Sequence, residues 1–428
     1  MPPSEATEDP DRFLRELFAR AVERADPMLC VPAALPQKPP GRVLVIGAGK
    51  ASARMAEAVE QSWGDVEGLV ITRYGHARPT RKIEIVEAGH PVPDPAGSAA
   101  TARILSRLKG LGPDDFVLAL ISGGGSALLV QPGGDITLEQ KQAINSALLA
   151  SGATISEMNT VRKHLSRVKG GQLAAMAHPA RMLALMISDV PGDDPAIIAS
   201  GPTVGDRSTP AQARAILEER GIEIPAAVAA VLAGATGVLP PGAAQLSNVV
   251  NRVIAAPAQS LQAAAEMATG AGCRVEILGD AIEGEARQLA QAQAAMAMKI
   301  ADDMAPGDRP VVLLSGGECT VTRHGDGVGG PNAEFCLALA LALNAAPGIH
   351  AIAGDTDGVD GAAEVAGAIV RPDTLRRAAR LGIDAGKMLG RNDAHSFFAA
   401  LGDQVVTGPT LTNVNDFRAI LIAPPAEG

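Results

Sequence analysis

Two apolar runs in this sequence end in the same Ser-Gly-Gly turn, and this pattern strongly limits the folds open to the chain. Phe116–Leu120 leads into Ile121-Ser122-Gly123-Gly124-Gly125-Ser126, and Pro310–Leu313 leads into Leu314-Ser315-Gly316-Gly317-Glu318. Glycines lose more conformational entropy on folding than other residues. We therefore expect such turns where backbone N–H groups approach phosphate or carboxylate oxygens of a ligand. The alternative interpretation is a pair of tight turns without a ligand.

Short apolar runs alternate with longer stretches of helical periodicity, which predicts an α/β fold with mainly parallel sheets. At 428 residues the chain is long enough for two or three domains. Glycines and prolines between Leu232 and Ser247 predict an N-terminal domain over 1–235, a linker over 236–247 and a C-terminal domain over 248–428. The predicted strands are Arg42–Ile46, Gly68–Thr72, Ile83–Glu87, Asp115–Ile121, Met182–Ser188, Arg252–Ala256, Arg274–Leu278, Pro310–Leu314, Ile349–Ala353 and Gln404–Thr407.

Composition excludes several classes of protein. One Trp and one Tyr are too few for nucleic-acid stacking, and a net charge of −10 disfavours a nonspecific polyanion binder. The four cysteines have no CxxC spacing, which indicates a reducing compartment without a disulfide framework or a zinc site. The N-terminus lacks the layout of a signal peptide, and the longest apolar run, Phe335–Leu343, predicts a buried helix rather than a membrane span. We therefore expect a cytoplasmic protein.

A third glycine-containing turn follows the first predicted strand. Gly47-Ala48-Gly49-Lys50-Ala51-Ser52 is half of a dinucleotide fingerprint, but Ser52 replaces the third glycine and the next strand does not end in an acidic residue. This weakens an NAD interpretation. Lys50 would lie at the start of a helix, where a cation opposes the helix dipole unless an anion binds there. The alternative is a solvated surface lysine.

The most basic segment of the chain lies within a predicted helix over Glu157–Ala177. In a helix, Arg162, Ser166 and Lys169 would share one face and attract a phosphate or a carboxylate. The alternative is a solvated charged face.

Acidic residues follow two predicted strands. Asp189 and Asp193 lie after one of them, and Asp355, Asp357 and Asp360 lie after the other. Carboxylates at the carboxyl ends of strands predict Mg²⁺ binding beside a phosphorylated substrate, although for Asp360 we favour a local turn. The histidines form no catalytic triad and no metal-binding pattern. Glycine turns, cations and carboxylates together favour phosphoryl transfer.

These motifs resemble, in order and over nearly the whole chain, the class II glycerate kinases of the MOFRL family. The resemblance rests on Gly47–Ser52, Ser122–Leu128, Asn159–Ser166, Lys169–Gly171, Ser188–Asp193, Ala199–Thr203, Ser315–Glu318, Gly354–Gly358, Val406–Thr410 and Thr412–Asp416. It implies an N-terminal Rossmann-like doubly wound domain and a smaller C-terminal α/β domain, with a cleft between them. The implied reaction is phosphorylation of D-glycerate to 2-phosphoglycerate with ATP and Mg²⁺. The implied partners are a small hydroxy acid and a nucleotide. A homodimer is a separate expectation for this chain.

The resemblance also implies roles for single residues. Lys50 and Asp189 would be catalytic, and Asp189, Asp193 and Asp355 would bind the metal. The nucleotide would contact Gly47, Gly49, Ser315, Gly316, Gly317 and Glu318. The acid substrate would contact Ser122, Gly123, Gly124, Gly125, Ser126, Arg162 and Asn332.

Two positions depart from the family pattern. The usual Gly-Gly-Arg-Asn-Gln-Glu is Gly329-Gly330-Pro331-Asn332-Ala333-Glu334 here, so a cation is missing at Pro331, and the usual Asn-Asp-Ser-Tyr is Asn392-Asp393-Ala394-His395. Some family members are labelled hydroxypyruvate reductases. An NAD(P)H-dependent reductase is therefore the second hypothesis, and a noncatalytic sensor of small anions is the third.

Overall fold

The computed structural model describes residues 5–361 and 363–426. Its helices are α1 (Glu5–Glu8), α2 (Pro10–Arg24), α3 (Pro27–Ala34), α4 (Ser52–Trp63), α5 (Pro95–Leu108), α6 (Gly125–Leu128), α7 (Leu138–Ala150), α8 (Ile155–His164), α9 (Gln172–Ala177), α10 (Pro210–Glu219), α11 (Ala226–Leu232), α12 (Pro257–Gly270), α13 (Ala286–Asp303), α14 (Pro331–Leu343), α15 (Thr374–Arg380), α16 (Ala385–Gly390) and α17 (Ala394–Leu401). Short 3₁₀ helices cover Pro191–Asp193, Ile198–Ser200 and Ala244–Leu246.

The strands are β1 (Val43–Ala48), β2 (Glu67–Arg73), β3 (Ile83–Ala88), β4 (Phe116–Ile121), β5 (Arg181–Ile187), β6 (Val249–Ala255), β7 (Arg274–Gly279), β8 (Gly284–Glu285), β9 (Val311–Gly316), β10 (Cys319–Thr320), β11 (Ile349–Asp355), β12 (Gly367–Val370), β13 (Gln404–Val405) and β14 (Asp416–Ile422). No described helix combines the length and the apolar character that crossing a membrane requires.

The chain forms two compact units. Pro27–Ile254 form the first, here called the Rossmann-like unit, and the residues up to Asp26 join those from Ala255 onward in the second, here called the terminal unit. The predicted domain boundaries differ from these units in two ways: the residues up to Asp26 belong to the terminal unit, and the predicted linker over 236–247 lies before the boundary at Ile254. Leu239 donates its amide to the carbonyl of Gly170 and accepts from the amide of Asp206, so the predicted linker packs within the Rossmann-like unit.

The Rossmann-like unit contains a six-stranded sheet in the order β3-β2-β1-β4-β5-β6, in which β1 to β5 are parallel. This is the strand order of doubly wound nucleotide-binding folds, and it confirms the α/β prediction. All six residues of β1 and of β4 are buried, because helices cover both faces of a parallel sheet.

The terminal unit contains a mixed sheet in the order β13-β12-β11-β14-β9-β7. Among the described residues of this six-stranded sheet, only β7 and β9 pair in parallel, so the prediction of mainly parallel sheets is wrong for it. Strands β12 and β14 were not predicted. Asp416 and Arg418 interrupt the apolar pattern of β14, although both side chains are buried. The apolar run Phe335–Leu343 lies in α14, and its burial confirms the prediction of a buried helix.

Helix α2 belongs to the terminal unit because of its apolar stripe. Phe13, Leu14, Leu17 and Phe18 are buried in a cluster that includes side chains of α12, β9 and β14. The ring of Phe18 packs edge-to-face on that of Phe417, with the centroids 5.9 Å apart. Local periodicity predicts that this helix is amphipathic but not which sheet it covers.

Candidate active site

The candidate site lies at the carboxyl ends of β1 and β4 in the Rossmann-like unit. These two strands are neighbours in the sheet, yet the chain leaves them toward opposite edges, and such a switch in strand order creates a crevice where ligands bind in open α/β sheets. The turn Gly49–Ala51 follows β1 and leads into α4. The turn Ser122–Gly124 follows β4 and leads into α6.

Backbone amides of the turn after β1 donate hydrogen bonds to the turn after β4. Lys50 donates its N–H to the carbonyl of Gly123 at 2.8 Å, and Ala51 donates its N–H to Ser122 Oγ at 3.0 Å. A Cβ at Gly49 would overlap with Ser122 Oγ, and one at Gly47 would overlap with the carbonyl of Leu120. These glycines allow the two turns to pack closely, which is a reason for Gly-Ala-Gly that requires no dinucleotide.

The Ser-Gly-Gly-Gly turn presents a different surface. Gly124 has a φ of +80°, and a Cβ there would lie 3.0 Å from the ring of His90 and 3.2 Å from Cγ of Lys50. Among the described residues, no backbone carbonyl accepts from the amides of Gly124 or Ser126. Gly124 thus brings Lys50, His90 and two unpaired amides together, as a site for an anion requires.

A cavity of about 280 Å³ opens beside this turn. Four residues that the sequence predicted as site residues line it, namely Gly124, Ser126, Arg162 and Asp189. The predicted residues Lys50, Ser122, Gly123 and Gly125 are not among the residues that line it. Ser122 is fully buried, and its hydroxyl oxygen accepts a hydrogen bond from the amide of Ala51 in the turn after β1. The cavity is also lined by Lys169, which the sequence predicted to attract an anion together with Arg162, and by Lys141, which the prediction did not include.

Three cationic side chains therefore line one cavity. Lys169 Nζ donates to the carbonyl oxygen of Ser126 at 2.8 Å, and Lys141 Nζ donates to that of Leu165 at 3.0 Å. Arg162 Nε donates to Asn145 Oδ1 at 2.6 Å. None of these cations forms a salt bridge with a described residue. Asp189 is the only carboxylate among the described lining residues, so the cavity favours an anionic ligand.

Burial changes the protonation of these groups. It lowers the pKa of Lys141 to about 7, with a smaller contribution from the positive charge of Arg162. Burial also lowers the pKa of Lys169 well below its usual value, and the charges of Lys141, Arg162 and Lys163 act in the same direction. Both shifts result from bringing like charges together away from water, and a bound anion would relieve them.

The local structure explains how these side chains reach the cavity. Lys141, Ile144 and Leu148 form the buried stripe of α7, whose N-terminus is fixed by a capping box between Thr137 and Gln140. The sequence feature that could have revealed Lys141 is its position on the apolar stripe of a predicted helix. Lys169 lies between α8, which ends at His164, and α9, which begins after the left-handed Gly170 and Gly171, so the predicted helix over Glu157–Ala177 is divided in two. The predicted shared helical face is thus wrong, although Arg162 and Lys169 do line the same cavity.

The acidic segment after β5 has an unusual conformation. Asp193 has a φ of +54°, and its Oδ1 is buried without a hydrogen-bond partner among the described residues. The neighbouring Asp194 instead accepts from the amide of Ala196 at 2.8 Å. No group of three His, Cys, Asp or Glu side chains in the described part of the chain could hold a metal ion by itself.

The second Ser-Gly-Gly turn belongs to the terminal unit. Ser315 is buried and accepts from Nε2 of Gln293 at 3.2 Å, while Glu318 is exposed. Arg418 Nη2 donates to the carbonyl oxygens of Gly316 and Gly317 at 2.8 and 2.9 Å. The buried Arg418 of β14 thus holds this turn.

The remaining predicted residues lie in the same unit. Asn332 is buried, and its Nδ2 donates to Asp416 Oδ1 at 2.7 Å. Asp360 accepts from the amides of Asn332 and Ala333 at 3.0 and 2.8 Å, so its carboxylate caps α14 rather than a local turn. Asp355 accepts from the amide of Asp357 at 2.9 Å. Pro331 is the first residue of α14.

Known proteins resemble this chain over nearly its full length. Residues 13–233 match a family described as a domain of unknown function (DUF4147), and residues 311–416 match the MOFRL family. The D-glycerate 2-kinase of Thermotoga maritima is 38% identical over 410 residues, which cover 95% of this chain and 97% of that protein. This chain belongs to the class II glycerate kinase family, the MOFRL family.

Two further comparisons concern the glycerate kinase family. A crystal structure of glycerate kinase from Thermotoga maritima matches with a TM-score of 0.89 and 38% identity, covering 97% of this chain and all of that one. A protein of Agrobacterium vitis named "Putative hydroxypyruvate reductase" is 55% identical over 415 residues, which cover 96% of this chain and 94% of that protein. Both names thus occur among relatives that share this fold.

Proposed function

We propose that this protein transfers the γ-phosphoryl group of ATP to the 2-hydroxyl group of D-glycerate and forms 2-phosphoglycerate and ADP. The observation that carries the proposal is the cavity at the end of β4, in which Lys141, Arg162 and Lys169 accompany one carboxylate, Asp189. This combination suits a substrate with an anionic group and a hydroxyl group that must lose a proton. Relatives named glycerate kinase support the choice of substrate.

The cations of the cavity would bind the carboxylate of glycerate. Arg162 offers a planar donor pair for a carboxylate, and Asn145 orients its guanidinium group. Lys141 and Lys169 would add positive charge. Lys141 lies on α7, before Arg162 in the chain, and Lys169 lies in the segment between α8 and α9. Asp189 would then accept the proton of the 2-hydroxyl group as the oxygen attacks the γ-phosphorus.

The turns at the switch point would stabilise the phosphoryl group. The amides of Gly124 and Ser126 can donate to its oxygens, and the ammonium group of Lys50 would neutralise the charge that develops as the bond to ADP breaks. The second Ser-Gly-Gly turn, Ser315–Glu318, remains our proposed contact for the nucleotide. Gly47 and Gly49 would act indirectly, by allowing the two turns to pack.

The donor atoms of the acidic residues fit a magnesium ion. Asp189 lines the cavity, and the unpartnered Oδ1 of Asp193 is an oxygen ligand in need of a positive partner. Mg²⁺ typically binds one or two carboxylates and completes its shell with water and phosphate oxygens, so a larger protein cluster is not required. When bound, the ion would offset phosphate charge. We also propose Asp355 as a ligand of the magnesium ion.

The reductase hypothesis is favoured by the name of the Agrobacterium vitis relative and by Gly47-Ala-Gly49. The local structure argues against it. The space that a dinucleotide pyrophosphate would need beside Gly49 is taken by Ser122, and β2 ends at Arg73 rather than at an acidic residue that would bind a ribose. We therefore propose the kinase. A cytoplasmic location and a homodimer likewise remain proposals.

Parallel incubations test the function. Phosphorus NMR of the protein with ATP, Mg²⁺ and D-glycerate should show 2-phosphoglycerate and ADP appearing in equal amounts. A second sample with NADPH and hydroxypyruvate should show no loss of absorbance from NADPH. Oxidation of NADPH without any phosphorylated product would reject the kinase in favour of the reductase.

A further inference from the structure

The buried hydroxyl group of Ser200 contacts Ser126, a residue of the candidate active site. Ser200 is fully buried, and its Oγ lies 2.8 Å from Ser126 Oγ and 3.0 Å from Asn159 Oδ1. Ser126 and Asn159 both line the cavity that contains Arg162 and Asp189. Two hydrogen bonds thus join three polar side chains at the wall of this cavity.

The partners of Ser200 determine the direction of these two hydrogen bonds. A serine hydroxyl group has one hydrogen to donate and can accept two hydrogen bonds, whereas the side-chain oxygen of an asparagine only accepts. Ser200 therefore donates its hydrogen to Asn159 Oδ1 and accepts from Ser126 in the 2.8 Å contact. The hydroxyl hydrogen of Ser126 is thereby committed to Ser200, and the lone pairs of Ser126 Oγ are left to accept.

Ser126 consequently presents two different groups at the cavity. In the described part of the chain, no backbone carbonyl accepts from its amide, and its Oγ has no hydrogen-bond partner besides Ser200. The amide can donate to an anionic oxygen. The Oγ can accept from a hydroxyl group, but it repels an ionised carboxylate oxygen, which has no hydrogen to donate.

The backbone at Ser200 is held in a conformation that residues with a side chain rarely adopt. Ala199 and Ser200 have φ angles of +52° and +63°, in the left-handed region that favours glycine. The amide of Ser200 donates to the carbonyl of Ile197 at 2.8 Å, and its carbonyl accepts from the amide of Gly170 at 3.2 Å. Such strain persists where the surrounding structure maintains it, and here it fixes the Ser200 hydroxyl group against Ser126.

We propose that Ser200 is a positioning residue that orients the hydroxyl group of Ser126, so that Ser126 Oγ accepts a hydrogen bond from the 3-hydroxyl group of the acid substrate. This role rests on the proposed kinase function, in which the 2-hydroxyl group faces Asp189 and receives the phosphoryl group. A substrate with a methyl group in place of the second hydroxyl group would leave Ser126 Oγ without a donor. The site therefore selects dihydroxy acids over monohydroxy acids.

D-glycerate and D-lactate, which differ only in the 3-hydroxyl group, test the proposal. Calorimetric titration gives the two dissociation constants without turnover, and initial rates give the two values of kcat/KM. The unmodified protein should prefer D-glycerate by on the order of tenfold, as expected for one hydrogen bond. Ser126→Ala should remove most of this preference. Ser200→Ala should lower it by roughly threefold or more, because the hydroxyl group of Ser126 is then free to rotate.

Further variants distinguish orientation of the hydroxyl group from damage to the fold. Ser200→Gly also removes the hydroxyl group but relieves the strain of the positive φ, so it should be more stable than Ser200→Ala and show the same preference. The double variant Ser126→Ala/Ser200→Ala should match Ser126→Ala, because Ser200 acts through Ser126. Ser260, a buried serine of α12 in the terminal unit, is the matched control, and Ser260→Ala should keep the preference of the unmodified protein.

The preference for D-glycerate over D-lactate decides the role of Ser200. An unmodified protein that binds neither acid, or both equally, would overturn the proposal. An unchanged preference in Ser200→Ala and Ser200→Gly would overturn it too, as would equal losses of affinity for both acids. The dissociation constants give this result even in a protein without turnover, whereas the absence of 2-phosphoglycerate in the NMR experiment counts against the proposed kinase function.

Discussion

The ammonium group of Lys169 donates a hydrogen bond of 2.8 Å to the carbonyl oxygen of Ser126, and so connects the basic segment to the Ser-Gly-Gly-Gly turn. Its second contact is the carbonyl oxygen of Ala199 at 3.4 Å. One buried cation thus holds two loops at the cavity and adds positive charge to it. This relationship makes Lys169 the residue whose removal should affect the site most broadly.

We expect Lys169→Met to lower kcat/KM for phosphorylation of glycerate by on the order of 10²-fold or more, because a preorganised donor and the position of the turn are lost together. Steady-state kinetics measures this change. The exposed Lys82 provides the control, and Lys82→Met should behave as the unmodified protein. Normal kcat/KM for Lys169→Met would show that the cavity does not need this cation.

The lowered pKa of Lys141 predicts two pH effects. The folded state loses the proton of Lys141 near pH 7, whereas the unfolded state keeps it up to the ordinary lysine pKa of 10.5, so the unfolded state binds more protons between these values. The free energy of unfolding from this residue should therefore rise with pH from about 7 to about 10.5, by on the order of 1 kcal/mol per unit. Below pH 7 both states are protonated and this contribution is flat.

The same titration should affect binding, because Lys141 loses its charge as the pH rises through about 7. We expect the KM for glycerate to increase above this pH in the unmodified protein. In Lys141→Met, KM should be high throughout, and both pH dependences should be reduced. Urea titrations and initial rates across roughly pH 6–9 give the two readouts. Identical pH profiles for the two proteins would contradict the assignment.

Lys50 tests the phosphoryl site. Its side chain lies beside Gly124, and Lys50→Met should reduce kcat by on the order of 10²-fold, as expected for losing one electrostatic donor. The backbone amide of residue 50, which donates to Gly123, is retained in the variant, so the melting temperature should change little. Near-normal turnover in a folded Lys50→Met would mean that Lys50 is a surface residue.

Asp189 and Asp360 should behave differently when replaced by asparagine. Asp189 lines the active cavity, so Asp189→Asn should abolish most of the turnover and leave stability nearly unchanged. Asp360 caps α14 through two amides, so Asp360→Asn should destabilise the fold, by roughly 0.5–2 kcal/mol as for other capping residues. Activity assays and thermal unfolding of both variants compare these effects. Equal loss of Mg²⁺ dependence in the two would place Asp360 at the metal.

Replacing Arg162 tests whether this residue takes the place of the cation that the family pattern has at position 331. We expect Arg162→Ala to raise the KM for glycerate by roughly tenfold or more and that for ATP much less, because a charge-assisted pair with the acid is lost. Asn145→Ala, which removes only the orienting contact, should have a smaller effect in the same direction. Unchanged constants for Arg162→Ala, together with faster turnover of threonate than of glycerate, would indicate a changed specificity instead.

The sequence by itself determined the strands of the Rossmann-like unit and the turns that follow them, because buried parallel strands and glycine turns have local signatures. It also identified Gly124, Ser126, Arg162 and Asp189, which line one cavity. Each of these residues follows a predicted strand or lies in the conspicuous basic segment.

Only the tertiary structure decided which distant segments meet. It assigned α2 to the terminal unit, paired β14 between β11 and β9, and turned the buried Lys141 and Lys169 toward the cavity of Arg162. The physical reason is that sheet pairing and the burial of a charge depend on partners far away in the sequence. A lysine on an apolar stripe is recognisable locally, but its neighbours are fixed only when the helices pack.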